Sequence, residues 1–242
     1  PVGLRGEVGR VKVALLAIDI EVFAGVPDAE DRLCALIPPD RQAKVRRLAG
    51  SDARRRALAG ELMVRNAACA RTGESGRDLV FEHNPFGKPR LRGIDDLHFN
   101  LSHSGRWVVC ALSDRPVGID IERVRHVDLD IARRLFAREE FRELMNRAEP
   151  DRTAYFFELW TLKEAYLKAV GKGIWGNLRR AIVRESGNKV GILYDGCEVD
   201  FDFRRDRFEG GYALAVCARG GSFGEFMFIR NIEALTANLA PV

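Results

Sequence analysis

The segment from Phe156 to Gly173 constrains the fold most, because it predicts one long helix without an internal break. It is rich in good helix formers, its apolar residues recur every three or four positions, and Gly171 follows as a stop. At helical spacing, Glu164 and Lys168 share the apolar face that packs against a core. A charge taken out of water without a partner costs several kcal/mol, so Glu164 needs a lysine, a metal ion or a phosphate-bound cation. The alternative is a simple Glu–Lys pair at the edge of a packed face.

The rest of the chain predicts an α+β fold with two similar halves. Strands and helices follow in the order strand, helices, strands, and this order is then repeated. The turn from Asp114 to Pro116 separates the two runs, so we predict one half over residues 1–115 and another over residues 116–242. Each half is expected to be an antiparallel sheet packed with helices.

Cysteine usage and hydropathy predict a cytoplasmic protein. The five cysteines are an odd number, are widely scattered in apolar surroundings and show no CxxC spacing, which is typical of a reducing compartment. The sequence has no apolar run near the roughly 20 residues that cross a bilayer and no signal-peptide pattern. We therefore expect no membrane partner.

Basic residues cluster in the first third of the chain, although the formal net charge is only +4. Such a cluster favours an anionic partner, or it is a solvated helix face. A nucleic-acid-binding module is the alternative function that this cluster suggests, and its affinity would fall steeply with salt. The cluster consists of Arg41, Lys44, Arg46, Arg47, Arg54, Arg55 and Arg56.

Two carboxylates, Asp120 and Glu122, lie two residues apart on a predicted strand. The period of a strand places both on one face, where they repel each other unless a cation lies between them. Glu164 on the predicted helix supplies a third carboxylate. Three hard oxygen ligands without a His or Cys cluster suit Mg²⁺, with Mn²⁺ as the alternative.

Several cationic and polar residues near these carboxylates indicate a pyrophosphate-binding site. A divalent ion together with lysines stabilises the negative charge of a pyrophosphate. The chain has no GxxxxGK[ST] loop, no GxGxxG after a strand and no GxSxG elbow, so these nucleotide-binding and hydrolase classes are not indicated. The candidate phosphate ligands are Lys88, Ser102, His103, Lys163 and Lys168.

Three blocks of sequence resemble the signatures of the 4′-phosphopantetheinyl transferases of the surfactin-synthetase-activating (Sfp) type. They are Phe99-Asn100-Leu101-Ser102-His103-Ser104, Gly118-Ile119-Asp120-Ile121-Glu122 and Trp160-Thr161-Leu162-Lys163-Glu164-Ala165-Tyr166-Leu167-Lys168. The Gly87-Lys88-Pro89 loop and the Gly60–Arg65 segment are also similar to family segments. The resemblance extends from about Val11 to Ala218.

The resemblance implies a pseudo-twofold monomer that binds coenzyme A in the cleft between its halves. Such an enzyme transfers phosphopantetheine to a serine of an acyl or peptidyl carrier protein and releases 3′,5′-ADP. By similarity, Asp120, Glu122 and Glu164 would hold Mg²⁺ on the pyrophosphate. Glu164 or Glu122 would be the general base, and Lys168 would neutralise the leaving phosphate. Lys163, Ser102 and His103 would bind phosphates.

The resemblance also implies where the rest of coenzyme A and the carrier would lie. The loop of Phe86, Gly87, Lys88 and Pro89 would form the adenine-side wall. Arg41 and Lys44 would face the 3′-phosphate, although Ala57 stands where a hydroxyl residue is expected. Residues 171–203 would meet the carrier helix. A relative that only binds carriers is the remaining alternative, and the complete acidic set with Lys168 argues against it.

Overall fold

The computed structural model describes residues 11–173, 177–187 and 189–239. A short 3-10 helix, Ile20–Phe23, follows the first strand. The elements of the first half are β1 (Val11–Asp19), α1 (Ala29–Cys34), α2 (Pro39–Arg46), α3 (Ser51–Thr72), β2 (Phe81–His83), β3 (Pro89–Leu91), β4 (His98–Ser104) and β5 (Trp107–Ser113).

The second half begins with a strand and three helices and continues with six strands and a short helix. Gly171 ends the longest of these helices in a left-handed conformation with φ of 72°, as expected for a helix stop. Its elements are β6 (Val117–Arg123), α4 (Leu129–Leu135), α5 (Arg138–Met145), α6 (Asp151–Val170), β7 (Ala181–Ser186), β8 (Lys189–Tyr194), β9 (Cys197–Glu198), β10 (Asp202–Phe208), β11 (Tyr212–Ala218), β12 (Gly221–Ile229) and α7 (Ile232–Thr236).

The strands confirm the α+β prediction, with one difference in sheet direction. A four-stranded sheet has the order β12-β1-β5-β4, and a three-stranded sheet has the order β10-β11-β6. All their pairs are antiparallel except β1 with β12, which run parallel. Because β12 comes from the end of the chain, it completes a sheet whose other strands come from the first half. The predicted division at residue 115 and the pseudo-twofold symmetry stay predictions.

The two main sheets pack face to face, and each carries a long helix on its outer face. Side chains of β1 and β5 meet those of β6 and β11 in one apolar cluster between the sheets. A second cluster lies between the first sheet and α3, and a third lies between the second sheet and α6. This arrangement places β6 between the first sheet and α6.

The two sheets are also joined directly by a seam between β4 and β6. Three side chains of β4, which alternate along the strand, accept hydrogen bonds from backbone N–H groups of β6. Asn100 Oδ1 accepts from Ile119 at 2.8 Å. Ser102 Oγ accepts from Ile121 at 3.3 Å, and Ser104 Oγ accepts from Arg123 at 3.0 Å. Side chains therefore satisfy N–H groups of β6 that would otherwise be buried without partners.

Gly118 allows β6 and α6 to approach closely. A Cβ atom at this position would lie 1.9 Å from the backbone oxygen of Ala165 and 2.6 Å from the backbone nitrogen of Ala169. Since real Cβ atoms do not come so near backbone atoms, only glycine fits between this strand and this helix. The close approach carries the polar side chains of α6 to the carboxylates of β6.

Four of the five cysteines are buried, as their apolar surroundings predict, whereas Cys197 is exposed in β9. None of the helices in the described ranges has the length and apolar character required to cross a bilayer.

Candidate active site

The carboxylates of β6 lie at the seam and are held by serines of β4. Ser102 donates a hydrogen bond to Asp120 Oδ1 at 2.8 Å, and Ser104 donates one to Glu122 Oε2 at 2.9 Å. Each serine thus binds a backbone N–H of β6 and the carboxylate of the residue before it. Asp120 is buried and Glu122 is partly buried, so their orientation is fixed by the seam.

Lys168 on α6 connects the helix to both strands. Its Nζ atom donates to Asp120 Oδ1 at 2.6 Å and to Ser102 Oγ at 2.9 Å. A longer contact of 3.3 Å reaches the backbone oxygen of Ile119. The helix and the carboxylate strand, which are distant in the sequence, therefore meet as the sequence predicts.

Glu164 lies one helical turn before Lys168 and belongs to the same electrostatic group. Burial raises the pKa of Glu164 to about 7, and the negative charges of Asp120 and Glu122 add to this effect, whereas Lys168 opposes it. Burial likewise raises the pKa of Glu122, and the negative charge of Asp120 contributes. The three carboxylates and Lys168, together called the carboxylate groove below, form one partly desolvated electrostatic group in which the positive charge only partly compensates the negative charges.

The groove has the donor set for a hard divalent cation, although no ready-made site is present. Across residues 11–173, 177–187 and 189–239, no three His, Cys, Asp or Glu side chains converge as metal ligands. In the same part of the chain, Asp120 Oδ2 is buried without a hydrogen-bond partner. This orphaned oxygen and the mutual repulsion of the carboxylates fit a cation with oxygen ligands. Asp120, Glu122 and Glu164 as metal ligands therefore stay a prediction.

Lys163 lies outside the groove, which contradicts its predicted role as a phosphate ligand. Its side chain is completely buried. Nζ donates to Glu140 Oε2 at 2.5 Å and to the backbone oxygens of Leu178 and Ala181 at 3.1 and 2.6 Å. All three donors of the ammonium group are used inside the second half, so none can reach a ligand.

The amino group of Lys88 binds protein carbonyl groups. Nζ donates to the backbone oxygens of Val117 and Ala169 at 3.1 and 2.9 Å. Burial lowers the pKa of Lys88 to about 8. Asn84 of the same loop donates to the backbone oxygen of Gly171 at 2.9 Å, so the loop is fastened to the C-terminal end of α6. The side chain of Lys88 thus supports the loop, and an adenine wall made by the loop stays a prediction.

Other residues of this predicted wall lie near Arg41. Phe86 is exposed, whereas Pro89 and Arg41 line a small crevice of about 80 Å³ together with His83 and Leu101.

Three of the seven residues in the predicted basic cluster are paired with carboxylates. Arg41 donates to Glu61 Oε2 at 2.5 Å, and Glu61 is itself buried and also binds Arg65. Arg54 and Arg55 both bind Glu30 at 2.9 Å. The pairing of Arg41 weakens its predicted role at a 3′-phosphate. Lys44, Arg46 and Arg47 are exposed on or next to α2.

Asn100 and Ser104 lie at the seam, although the sequence motifs assign no role to them. The available signal was the alternation of polar side chains at positions 100, 102 and 104 within a strand. Polar side chains at every second position of a buried strand lie on the same face of that strand, so they require hydrogen-bond partners there.

Comparison with known proteins gives two adjacent family matches. Residues 27–115 match the model of the 4′-phosphopantetheinyl transferase N-terminal region, and residues 116–217 match that of the 4′-phosphopantetheinyl transferase superfamily. A 4′-phosphopantetheinyl transferase of Bacillus subtilis is 36% identical over 85% of this chain and 92% of its own length.

Two further relatives carry the same name. The 4′-phosphopantetheinyl transferase Sfp of Bacillus subtilis strain 168 is 32% identical over 86% of this chain and 93% of its own length. The 4′-phosphopantetheinyl transferase psf-1 of Bacillus pumilus is 38% identical over 78% of this chain and 81% of its own length.

Proposed function

Since this chain belongs to the 4′-phosphopantetheinyl transferase family, in its Sfp-type form, we propose that it transfers 4′-phosphopantetheine from coenzyme A to a serine of an acyl or peptidyl carrier protein. The products are the holo-carrier and 3′,5′-ADP. The proposal covers carriers of fatty acid, polyketide or nonribosomal peptide synthesis, and the chain is expected to act as a monomer.

One observation supports this function above the others. Lys168 of α6 contacts Asp120 of β6 directly, and Glu164 of the same helix lies within electrostatic reach of Asp120, Glu122 and Lys168. Ser102 binds both Asp120 and Lys168 and thereby fixes the acidic and the basic group relative to each other. Such a mixed site suits a reaction in which a hydroxyl loses a proton while a pyrophosphate linkage breaks.

The three carboxylates would hold Mg²⁺, with Mn²⁺ as the alternative ion. When bound, the ion supplies positive charge that stabilises the pyrophosphate and the leaving phosphate. The orphaned Oδ2 of Asp120 and the uncompensated charge of the groove support this assignment.

The side chains of the groove would divide the work of the transfer. Glu164, or alternatively Glu122, accepts the proton of the carrier serine, so that the serine oxygen attacks the phosphorus atom bound to the pantetheine group. The bond between that phosphorus atom and the bridging oxygen breaks, and 3′,5′-ADP leaves. Lys168 compensates the charge that develops on the leaving phosphate. Ser102 keeps Lys168 and Asp120 in position for this step.

The substitution Glu164→Gln tests the proposal, because it keeps the size of the side chain and removes the carboxylate. An apo-carrier is incubated with coenzyme A and Mg²⁺, and the phosphopantetheine mass increment on the carrier is followed by mass spectrometry. We expect transfer by the natural chain and a loss of at least roughly 100-fold in the variant, as for removal of a general base.

Glu158→Gln on the same helix is the matched control. Glu158 is 3.8 Å from both Arg205 and Arg207 and takes no part in the groove, so this variant should transfer normally. Chelation of divalent ions with EDTA should abolish transfer by the natural chain, and added Mg²⁺ should restore it. Full activity of the Glu164 variant, or full activity in EDTA, would contradict the proposed roles.

A further inference from the structure

Ser104 is the last residue of β4, and its side chain faces β6. Its Oγ atom accepts a hydrogen bond from the backbone N–H of Arg123 at 3.0 Å and donates one to Glu122 Oε2 at 2.9 Å. In the part of the chain that the structure describes, no other donor binds the side chain of Glu122. The orientation of this carboxylate therefore depends on the hydroxyl group of Ser104.

The turn after β4 holds this hydroxyl group in place. Gly105 has a positive φ of 55°, and an added Cβ atom would lie 3.3 Å from Cζ of Tyr212 and overlap the hydroxyl group of that tyrosine. Tyr212 is buried on β11, where it pairs with Arg123 of β6. The end of β4 is thus packed against a strand that is bonded to β6, so Ser104 has little freedom to follow a carboxylate that moves.

The two serines of the seam each bind one oxygen atom of a β6 carboxylate. Ser102 donates to Oδ1 of Asp120, which also accepts from Lys168, and Oδ2 of Asp120 is buried without a partner among the described residues. Ser104 donates to Oε2 of Glu122, and within the same ranges Oε1 has no hydrogen-bond partner. Asp120 and Glu122 therefore each present one oxygen atom that the described part of the protein leaves unbound.

The number of oxygen atoms that a carboxylate offers affects which cation it suits. Mg²⁺ takes six ligands in near-octahedral geometry at about 2.0–2.1 Å and is held by one or two carboxylates with water and phosphate. Ca²⁺ takes about six to eight oxygen ligands and often binds both oxygens of one carboxylate. The hydrogen bond from Ser104 competes with binding through both oxygens of Glu122, and this penalty falls mainly on the larger ion.

We propose that Ser104 is a positioning residue that sets the cation specificity of the carboxylate groove, because it occupies one oxygen of Glu122 and thereby favours Mg²⁺ over Ca²⁺. The inference rests on the proposed function, in which Glu122 holds Mg²⁺. Ser104 acts through Glu122 and is assigned no contact with the substrate. Ser102 is less suitable for a test, since it also binds Lys168 and its loss would change the charge balance of the groove.

The test compares Ser104→Ala, which removes the hydroxyl group, with Ser104→Thr, which keeps it. Binding of Mn²⁺ to each full-length protein with coenzyme A is followed by electron paramagnetic resonance, and Mg²⁺ or Ca²⁺ is then added to displace the Mn²⁺. We expect Ser104→Ala to weaken binding of Mn²⁺ and Mg²⁺ by about tenfold or more, as for loss of a hydrogen bond to a metal ligand. Binding of Ca²⁺ should change by less than about threefold, and Ser104→Thr should keep the natural preference.

Ser113→Ala is the matched control. Oγ of Ser113 accepts a backbone hydrogen bond from Arg115 at 3.2 Å and binds no carboxylate among the described residues. This control removes the same kind of backbone contact and should leave the preference for Mg²⁺ over Ca²⁺ unchanged. Ser104→Cys keeps the size of the side chain but is only a weak donor, so it should show a smaller shift in the same direction. It provides the test if Ser104→Ala does not fold, which thermal unfolding reveals.

Transfer to a carrier over a range of Mg²⁺ concentrations gives a second readout. The Mg²⁺ concentration for half-maximal transfer should rise in Ser104→Ala more than the maximal rate falls. Equal losses of Mg²⁺ and Ca²⁺ binding in the Ser104 variants, or the same shift in Ser113→Ala, would overturn the inference, while Mg²⁺-dependent transfer by the natural chain would still support the proposed function. Failure of the natural chain to bind Mn²⁺ in the presence of coenzyme A would overturn the inference together with the proposed metal site.

Discussion

Lys163 and Lys168 lie five residues apart on one helix and have different roles. Lys168 reaches the carboxylate groove, whereas Lys163 is directed into the second half and binds Glu140. Glu140 also accepts backbone hydrogen bonds from Ala137 and Val183 at 2.9 and 2.8 Å. This buried ion pair therefore joins α5, α6 and β7, and it is a structural connection rather than a ligand site.

Replacing Lys163 with Met should destabilise the fold by about 3–5 kcal/mol, because Glu140 would stay buried without its cation. Denaturant unfolding measures this loss. Adding Glu140→Gln should give a double variant that loses less than the sum of the two single changes, since the uncompensated charge is then absent. The folded fraction of Lys163→Met should bind coenzyme A as the natural chain does. Strict additivity would contradict the coupling of Lys163 to Glu140, and a selective loss of coenzyme A binding would restore the predicted phosphate role of Lys163.

At the scale of elements, the contact between β6 and α6 decides the geometry of the groove. Gly118 is the residue over which α6 crosses the strand, and a Cβ atom there would meet the helix backbone. Backbone atoms cannot rotate away as a flexible side chain can, so the helix itself would have to move.

We expect Gly118→Ala to cost about 3 kcal/mol or more, at or above the usual range for overpacking. It should also reduce transfer in the protein that still folds, because Glu164 and Lys168 move away with the helix. Gly191→Ala in β8 is the matched control, since no atom of the residues that the structure describes lies within 4 Å of its added Cβ. Thermal unfolding and carrier transfer measure the two effects, and similar behaviour of both variants would contradict this role of Gly118.

Local patterns account for the elements that the sequence predicts well. The long helix predicted from residue 156 is present within α6, and it stops before Gly171 as expected. The period of a strand also places Asp120 and Glu122 at one seam. These features depend on neighbouring residues, which a single sequence displays.

Partners that are distant in the chain could not be predicted in this way. The periodicity of α6 shows that Lys163 and Lys168 point in different directions, but it does not reveal that Lys163 forms an ion pair with Glu140. Likewise, the composition of the loop does not show that the amino group of Lys88 donates a hydrogen bond to the carbonyl oxygen of Ala169. β12 also pairs with β1 in parallel although the two strands are distant in the chain, and local hydropathy does not determine which strands pair.

At the scale of the whole molecule, β12 makes the first sheet dependent on the end of the chain. It covers the outer edge of β1, and its Phe226 and Phe228 pack against Phe208 of β10. Phe228 also meets Trp107 of β5 with ring centroids 5.9 Å apart. β12 thus contacts elements from both predicted halves.

A chain that ends after Gly220 should lose its cooperative thermal transition, because β1 then becomes an exposed apolar edge. A chain that ends after Arg230 keeps β12 and removes α7, whose buried Leu235 packs in the α3 cluster, and should unfold cooperatively at a reduced temperature. Circular dichroism on heating compares the two. Equal transitions in both truncated chains would show that β12 is dispensable.

Ordinary strand pairing uses backbone hydrogen bonds and tolerates many different side chains. The seam between β4 and β6 instead depends on three particular side chains of β4. Recombination of this chain with a relative at the junction of residues 115 and 116 would place the two sides of that seam on different parents. Hybrid proteins should therefore fold only when the parent of the first part has an amide at the position of Asn100 and hydroxyl groups at the positions of Ser102 and Ser104. The second part contributes three backbone N–H groups and the carboxylates of Asp120 and Glu122 to this contact, so its donor must keep both carboxylates.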